Sequence, residues 1–108
     1  MDKNLHEIDA ANSLAALGNV TRLHLFRYLV QAGAEGAIIG AIQTHLNVPG
    51  STLPHHIAKL VKVGLIEQEK KGRKIICRAN YDRMDSLLSF VTENCCVGFE
   101  DTRNLKTA

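Results

Sequence analysis

The fold turns on STLPHHIAKLVKVGLIEQEKKGRKIICR, residues 51–78. In its first half Leu53, Ile57, Leu60 and Val61 recur at helical spacing and are expected to face a core. From Leu65 the pattern becomes two short extended runs separated by Lys70, Lys71, Gly72 and Arg73. Seven basic side chains, Lys59, Lys62, Lys70, Lys71, Arg73, Lys74 and Arg78, stand against Glu67 and Glu69, whereas residues 1–50 carry three basic and four acidic groups. A helix running straight into a basic hairpin predicts a winged helix-turn-helix.

Upstream, Ala37 to Leu46 reads as the first helix of that pair, because the run is too long for a short strand. Asn47, Val48, Pro49 and Gly50 supply the turn, and Ser51 or Thr52 can cap the second helix. The helix-turn-helix is therefore placed at residues 37–63. Pro54 fits if it lies in the first helical turn, where an amide has no intrahelical acceptor to lose. Gly64 ends the helix, and the wing follows over residues 65–79 with Gly72 at its turn.

Toward the N-terminus, Leu5, Ile8, Ala11, Ala15 and Leu17 predict a helix over residues 5–17, broken by Gly18. Asn19 or Thr21 caps the next one, whose apolar residues Val20, Leu23, Leu25, Phe26, Leu29 and Val30 make it the central core helix. At the other end, a helix over residues 82–97, capped by Asp82, places Met84, Leu87, Leu88, Val91 and Cys95 on one stripe. That stripe has little local core left to cover, so the first and last helices are assigned to a homodimer interface; packing within one chain is the alternative. The expected fold is thus a single domain over residues 1–108, mainly α with a small β-hairpin, winged helix-turn-helix and homodimeric.

Composition narrows the function classes. At 11.9 kDa and 45% apolar residues, the chain suits one ordinary core. No run reaches the roughly 20 apolar residues needed to cross a bilayer, and the acidic N-terminus lacks the order of a secretory signal, so a cytoplasmic location and no membrane partner are expected. Neither a Gly-rich phosphate loop nor a paired-carboxylate arrangement occurs, and the histidines are dispersed, so no enzyme is expected. The outward face of the second helix carries Thr52, His55, His56 and Lys59, placed to meet a major groove, with solvated surface as the bland alternative. Lys70, Lys71, Arg73 and Lys74 suit phosphate contact, which gives affinity more than sequence choice.

The three cysteines form a poor disulfide framework. Cys77 alternates with Ile75 in the second wing strand and reads as buried packing. Cys95 and Cys96 are adjacent. On a regular helix neighbouring side chains diverge by about 100°, so joint ligation calls for a frayed end, which Gly98 permits. Two thiolates on one turn suit a soft thiophilic centre; redox chemistry and inert packing are the other readings.

These residues resemble the ArsR/SmtB family of bacterial winged-helix repressors over roughly residues 14–98. The resemblance is carried by LAALGNVTRLHLFRYL at residues 14–29, by LPHHIAKLVKVGLIEQEKKGRK at residues 53–74 and by the final helix. It implies a homodimer that binds double-stranded operator DNA and releases it when an inducer binds, with Thr52, His55, His56 and Lys59 in the reading region and Arg73 at the wing tip. Pro54 replaces a serine usual in the family's recognition motif. The cysteine-rich motif of the first reader helix has no counterpart between Ala37 and Leu46, nor has the aspartate and histidine cluster of the last helices.

What remains is ENCCVG at residues 93–98, which looks like the C-terminal site of arsenic-responsive members. There a third cysteine follows at the position held here by Thr102. Inorganic trivalent arsenic takes three thiolates, whereas a monomethylated trivalent arsenical already has one carbon bond and is held by two. The resemblance therefore implies a repressor released by a trivalent arsenical on Cys95 and Cys96, methylarsenite ahead of arsenite, with antimonite as a further ligand. A thiol-redox repressor and a winged protein-interaction module are the competing functions.

Overall fold

The computed structural model describes residues 5–99. They form α1 (Glu7–Leu17), α2 (Val20–Ala32), a single 3₁₀ turn, β1 (Ala37–Ile38), α3 (Ile39–Leu46), α4 (Leu53–Lys62), β2 (Ile66–Lys71), β3 (Lys74–Ala79) and α5 (Tyr81–Thr92). This is a winged helix-turn-helix in which α3 and α4 are the paired helices and β2 and β3 the wing.

Burial explains the arrangement. Leu25 and Leu29 of α2 are fully buried, and around them pack Ile42 from α3, Leu53, Ile57 and Leu60 from α4, and Leu87 from α5. Each fully buried leucine or isoleucine contributes about 1.5–3 kcal/mol, so α2 is the post on which the reader helices are set. Asn19 caps α2 by accepting from the Arg22 amide at 3.0 Å. The expected Val61 does not join the core: it is 36% exposed, because Leu53, Ile57 and Leu60 already fill the buried stripe and Val61 lies one residue past its edge.

The sheet has three strands in the order β1-β3-β2, all antiparallel. The hairpin expected from sequence is present, with Lys71 paired to Lys74 across a two-residue loop and Gly72 at φ 62°. Positive φ at the first loop residue alone is the pattern of a type II′ turn, whose twist matches the strands it joins. The added strand is β1: Ala37 and Ile38 pair with Cys77 and Ile76 before the helix starts at Ile39, so the reader pair begins later than residue 37. Gly36 makes this close approach feasible. It sits at φ 68°, and a Cβ there would strike the backbone carbonyl of Cys77.

Three other boundaries shift. The first helix starts at Glu7, since His6 is extended at φ −66° and ψ 146°. Thr52, not Ser51, precedes α4, and its hydroxyl donates to the Pro49 carbonyl at 3.0 Å instead of capping; Pro54 falls within the first turn. In α5 the cap is Asn80, accepting from the Arg83 amide at 3.1 Å, so Asp82 is already inside the helix. Tyr81 then ties α5 to the end of α2 by donating its hydroxyl proton to the Val30 carbonyl at 2.9 Å.

The largest departure is the end of α5. The helix stops at Thr92, short of the expected Val97, and Glu93 is extended at ψ 132°. Thr92 turns its hydroxyl back onto the Leu88 carbonyl at 2.8 Å, and Asn94 enters the left-handed region at φ 59°. Cys95 therefore does not lie on the apolar stripe.

Candidate nucleic-acid interface and thiol pair

The stripe that turns α4 toward the core fixes what it presents outward. His55 and Lys59 are exposed, and Thr52 is exposed at the helix entrance. His56 is half-buried: Arg22 of α2 directs one guanidinium N–H at its Nδ1 at 3.4 Å, while the Arg22 Nε–H donates to the Ala16 carbonyl at 2.5 Å. Burial first, and then the charges of Arg22, His55 and Lys59, hold the His56 pKa below the ordinary imidazole value of 6.5. A neutral ring occupied by Arg22 is a poorer phosphate partner than His55. This internal link was not legible in the sequence, since Arg22 lies 34 positions from His56.

On the wing, Lys70, Lys71, Arg73 and Lys74 are all exposed. Lys71 and Lys74 face each other across the strands next to the turn, an arrangement of like charges that disfavours the isolated hairpin and is relieved by a polyanion. Arg78 differs from its basic neighbours. It donates to Glu69 at 2.7 Å and to the Ala34 carbonyl at 2.7 Å, so it braces the wing against the connector after α2. The same hydrogen bond, followed by the charge of Lys71, holds the Glu69 carboxyl below its usual range.

The cysteines divide sharply. Cys77 is fully buried in the central strand, beside the Gln68 amide at 3.8 Å, and burial pushes its thiol pKa up. Cys95 and Cys96 are free, exposed and adjacent on the turn after α5, with Sγ atoms 2.8 Å apart. Cys96 takes φ 69° and Asn94 φ 59°, and these two reversals rotate the thiols to one side, which a helix would not do. The hydrogen bond between the two sulfurs, and then burial, raise the Cys95 pKa. Among the described residues there is no group of three or more His, Cys, Asp or Glu side chains able to hold a metal ion. Thr102 lies outside those residues.

Apolar surface is left uncovered on the first and last helices, which sequence assigned to association. On α5, Leu88 and Val91 are 55% and 57% exposed, and on α1, Ile8 and Leu14 are exposed; Val20 and Leu23 of α2, expected in the core, are exposed too, because Leu25, Phe26 and Leu29 alone form the buried side of that helix. Leu17, Leu23, Phe26, Val30, Met84, Leu87 and Leu88 line a cavity of about 370 Å³ between these helices. A second cavity, of about 510 Å³, opens between α1, α4 and α5, with Arg22, Lys59, Lys62 and Arg83 on its walls. No described helix is long and apolar enough to cross a membrane.

A family model described as a helix-turn-helix domain matches residues 17–69, which take in α2, α3, α4 and most of the first wing strand. No curated protein matches the chain. Among solved structures, an ArsR-like transcriptional regulator from Rhodococcus sp. RHA1 is similar at 26% identity, with 93% of this chain and 89% of that one covered and a TM-score of 0.72. A crystal structure of an ArsR family transcriptional regulator aligns over 97% of both chains at 16% identity and a TM-score of 0.70. The third is a solution structure of the homodimeric winged helix-turn-helix DNA-binding domain of a possible ArsR-family regulator from Mycobacterium bovis, at 21% identity, 93% and 84% coverage and a TM-score of 0.62. The helix-turn-helix match and these likenesses identify a winged helix-turn-helix fold similar to that of ArsR-family transcriptional regulators.

Proposed function

We infer that the protein is a homodimeric transcriptional repressor that binds operator DNA through α4 and the wing and releases it when a trivalent arsenical bridges Cys95 and Cys96. The observation that carries this reading is the exposed thiol pair, 2.8 Å apart, at the end of the helix that bears the uncovered Leu88 and Val91. His55, Lys59, Lys70, Lys71, Arg73 and Lys74 form the exposed cationic surface for DNA, with Thr52 at the entrance of α4 and His56 held back by Arg22. Packing of Leu88 and Val91 against a second copy would place the thiol pair beside the subunit contact, so a ligand there can alter how the two readers are spaced.

The ligand chemistry follows from two thiols. Methylarsenite, CH₃As(OH)₂, condenses with both: two As–O and two S–H bonds break, two As–S bonds form, and the protons leave with the hydroxyls as two waters. Oxidation states are unchanged and no third ligand is needed. Because protons depart in water, the raised Cys95 pKa does not oppose this condensation near neutrality. It does oppose a peroxide sensor, which depends on the thiolate. Cys77, buried in the sheet, is not available to complete a three-thiolate site for inorganic arsenite or antimonite without opening the core.

The test is operator binding by the reduced protein across methylarsenite, arsenite, antimonite and hydrogen peroxide, with ligand stoichiometry measured on wild type, Cys95→Ser and Cys96→Ser. One methylarsenite per chain, weakening operator binding by about 5–150-fold and losing its effect in either serine variant, is the expected result. Release by peroxide alone would replace the arsenical reading with a redox one. Equal binding to operator and random duplex by the reduced dimer would point to a protein-interaction module.

A further inference from the structure

The cavity between α1, α4 and α5 shares only Lys59 of its walls with the DNA surface of that function. Its volume is about 510 Å³, within the range of small-ligand sites, and its walls carry Arg22, Lys59, Lys62 and Arg83 against the one carboxylate of Asp9. None of Lys59, Lys62 and Arg83 takes part in an ion pair among the described residues. Four cations around one concavity repel each other, and an anion bound there removes that repulsion.

Two of the four are guanidinium groups, and one of these is anchored by hydrogen bonds. Arg22 has its Nε–H on the Ala16 carbonyl and one Nη1–H directed at His56, which leaves further donors of its fork for a ligand. Arg83, on the first turn of α5, lies over Gly64: its Cζ, Nε and one Nη would each stand 3.3 Å from a Cβ at that residue. Three guanidinium atoms at one distance from that point turn the face of the group toward Gly64, where a Cβ would crowd it. Lys59 and Lys62, three residues apart on α4, share one helix face and bring two mobile ammonium groups to the same opening.

We propose that this cavity is a phosphate-binding site, in which Arg22 and Arg83 supply planar donors and Lys59 and Lys62 close over the anion as point charges. A phosphate, with several acceptor oxygens and up to two charges, uses this donor set more fully than a single carboxylate does. The group can come from the backbone of a duplex lying along α4, since Lys59 belongs to both surfaces, or from a free phosphorylated small molecule. The first source rests on the DNA-binding reading above; the second does not.

Operator affinity of the reduced protein is measured from 50 to 200 mM salt for wild type, Lys62→Gln, Arg83→Gln and the double variant. Separately, pyrophosphate is titrated into the DNA-free protein at constant ionic strength while the Gly64 and Arg83 amides are followed by NMR. A log-log salt slope shallower by roughly 0.9 for each substitution assigns the site to the DNA backbone. A saturable amide shift that vanishes in the double variant, with unchanged slopes, assigns it to free phosphate. Unchanged slopes together with no saturable shift overturn the proposal. Should wild type fail to bind operator at all, the DNA-binding reading falls and the pyrophosphate arm alone decides. Far-UV circular dichroism checks folding, and Arg83→Lys replaces Arg83→Gln if the latter unfolds.

Discussion

The reader and the thiol turn are held by opposite means. In α4, Leu53, Ile57 and Leu60 are buried, and the wing is rooted through Ile66, Cys77 and Ala79, so the exposed cations ride on side chains locked in the core. From Glu93 to Phe99 every residue is exposed, and the backbone is held by turn bonds such as the Cys95 amide to the Thr92 carbonyl at 2.9 Å. The contrast suits the roles proposed for them, a surface that keeps one shape and a segment that reorganises at little free-energy cost. Cys96 adds to this, because a non-glycine residue at φ 69° carries about 1–2 kcal/mol of strain that a rearranged turn can release.

That contrast breaks first in the core. Leu60→Ala, which empties a fully buried site beneath the recognition face, is expected to lower unfolding stability by about 2–5 kcal/mol, whereas Cys95→Ser or Cys96→Ser should stay within about 0.5 kcal/mol. Urea unfolding at one fixed protein concentration compares them, since stability coupled to self-association depends on concentration. Comparable losses for serine and alanine variants would show the thiol turn to be part of the cooperative core. Gly36→Ala comes next: φ 68° and the approach of the Cys77 carbonyl predict a loss of about 1–3 kcal/mol together with weakened pairing of β1, read as faster amide exchange in β3.

A smaller effect separates the wing's two kinds of cation. Arg73→Ala is expected to weaken binding to all duplexes about equally and to make the salt dependence shallower by roughly 0.9, with stability unchanged. Arg78→Ala should do the reverse, since its guanidinium is engaged with Glu69 and Ala34. Equal salt slopes for Arg73→Ala and wild type would remove the wing tip from the DNA surface.

How much of this was legible in the sequence follows the range of the forces involved. The helix-turn-helix, the turn at Gly72 and the place of Pro54 in a first helical turn rest on local spacing and backbone preference, and these the chain displays openly. β1 has only two residues and exists because Cys77 and Ile76 lie alongside it, so no local pattern marks it. The end of α5 is not legible in the sequence because Cys95 continues the apolar rhythm, while the Thr92 back-bond and the left-handed Asn94 that stop the helix carry no periodic signal. In the candidate reader, exposure of His55 and Lys59 follows from the helical stripe. The engagement of His56 by Arg22, like the cavity shared with Arg83, joins residues that only the tertiary fold brings together.

His56 also supplies the smallest test, because it is the member of the reader surface tied to the interior. Its pKa is lowered in the folded state, chiefly by burial, so below an unfolded value of about 6.5 the unfolded chain takes up the proton more readily. Stability should therefore be full above that pH and decline as pH falls from about 6.5 toward the folded pKa. His56→Gln keeps a side-chain acceptor near Arg22 without titrating, and urea midpoints at pH 7.5 and 5.5 should show less acid loss than in wild type. If both proteins lose the same stability, the titrating group lies elsewhere and His56 is as free to meet DNA as His55. If the variant is flatter, the reader has one histidine committed to the fold and one left to the groove.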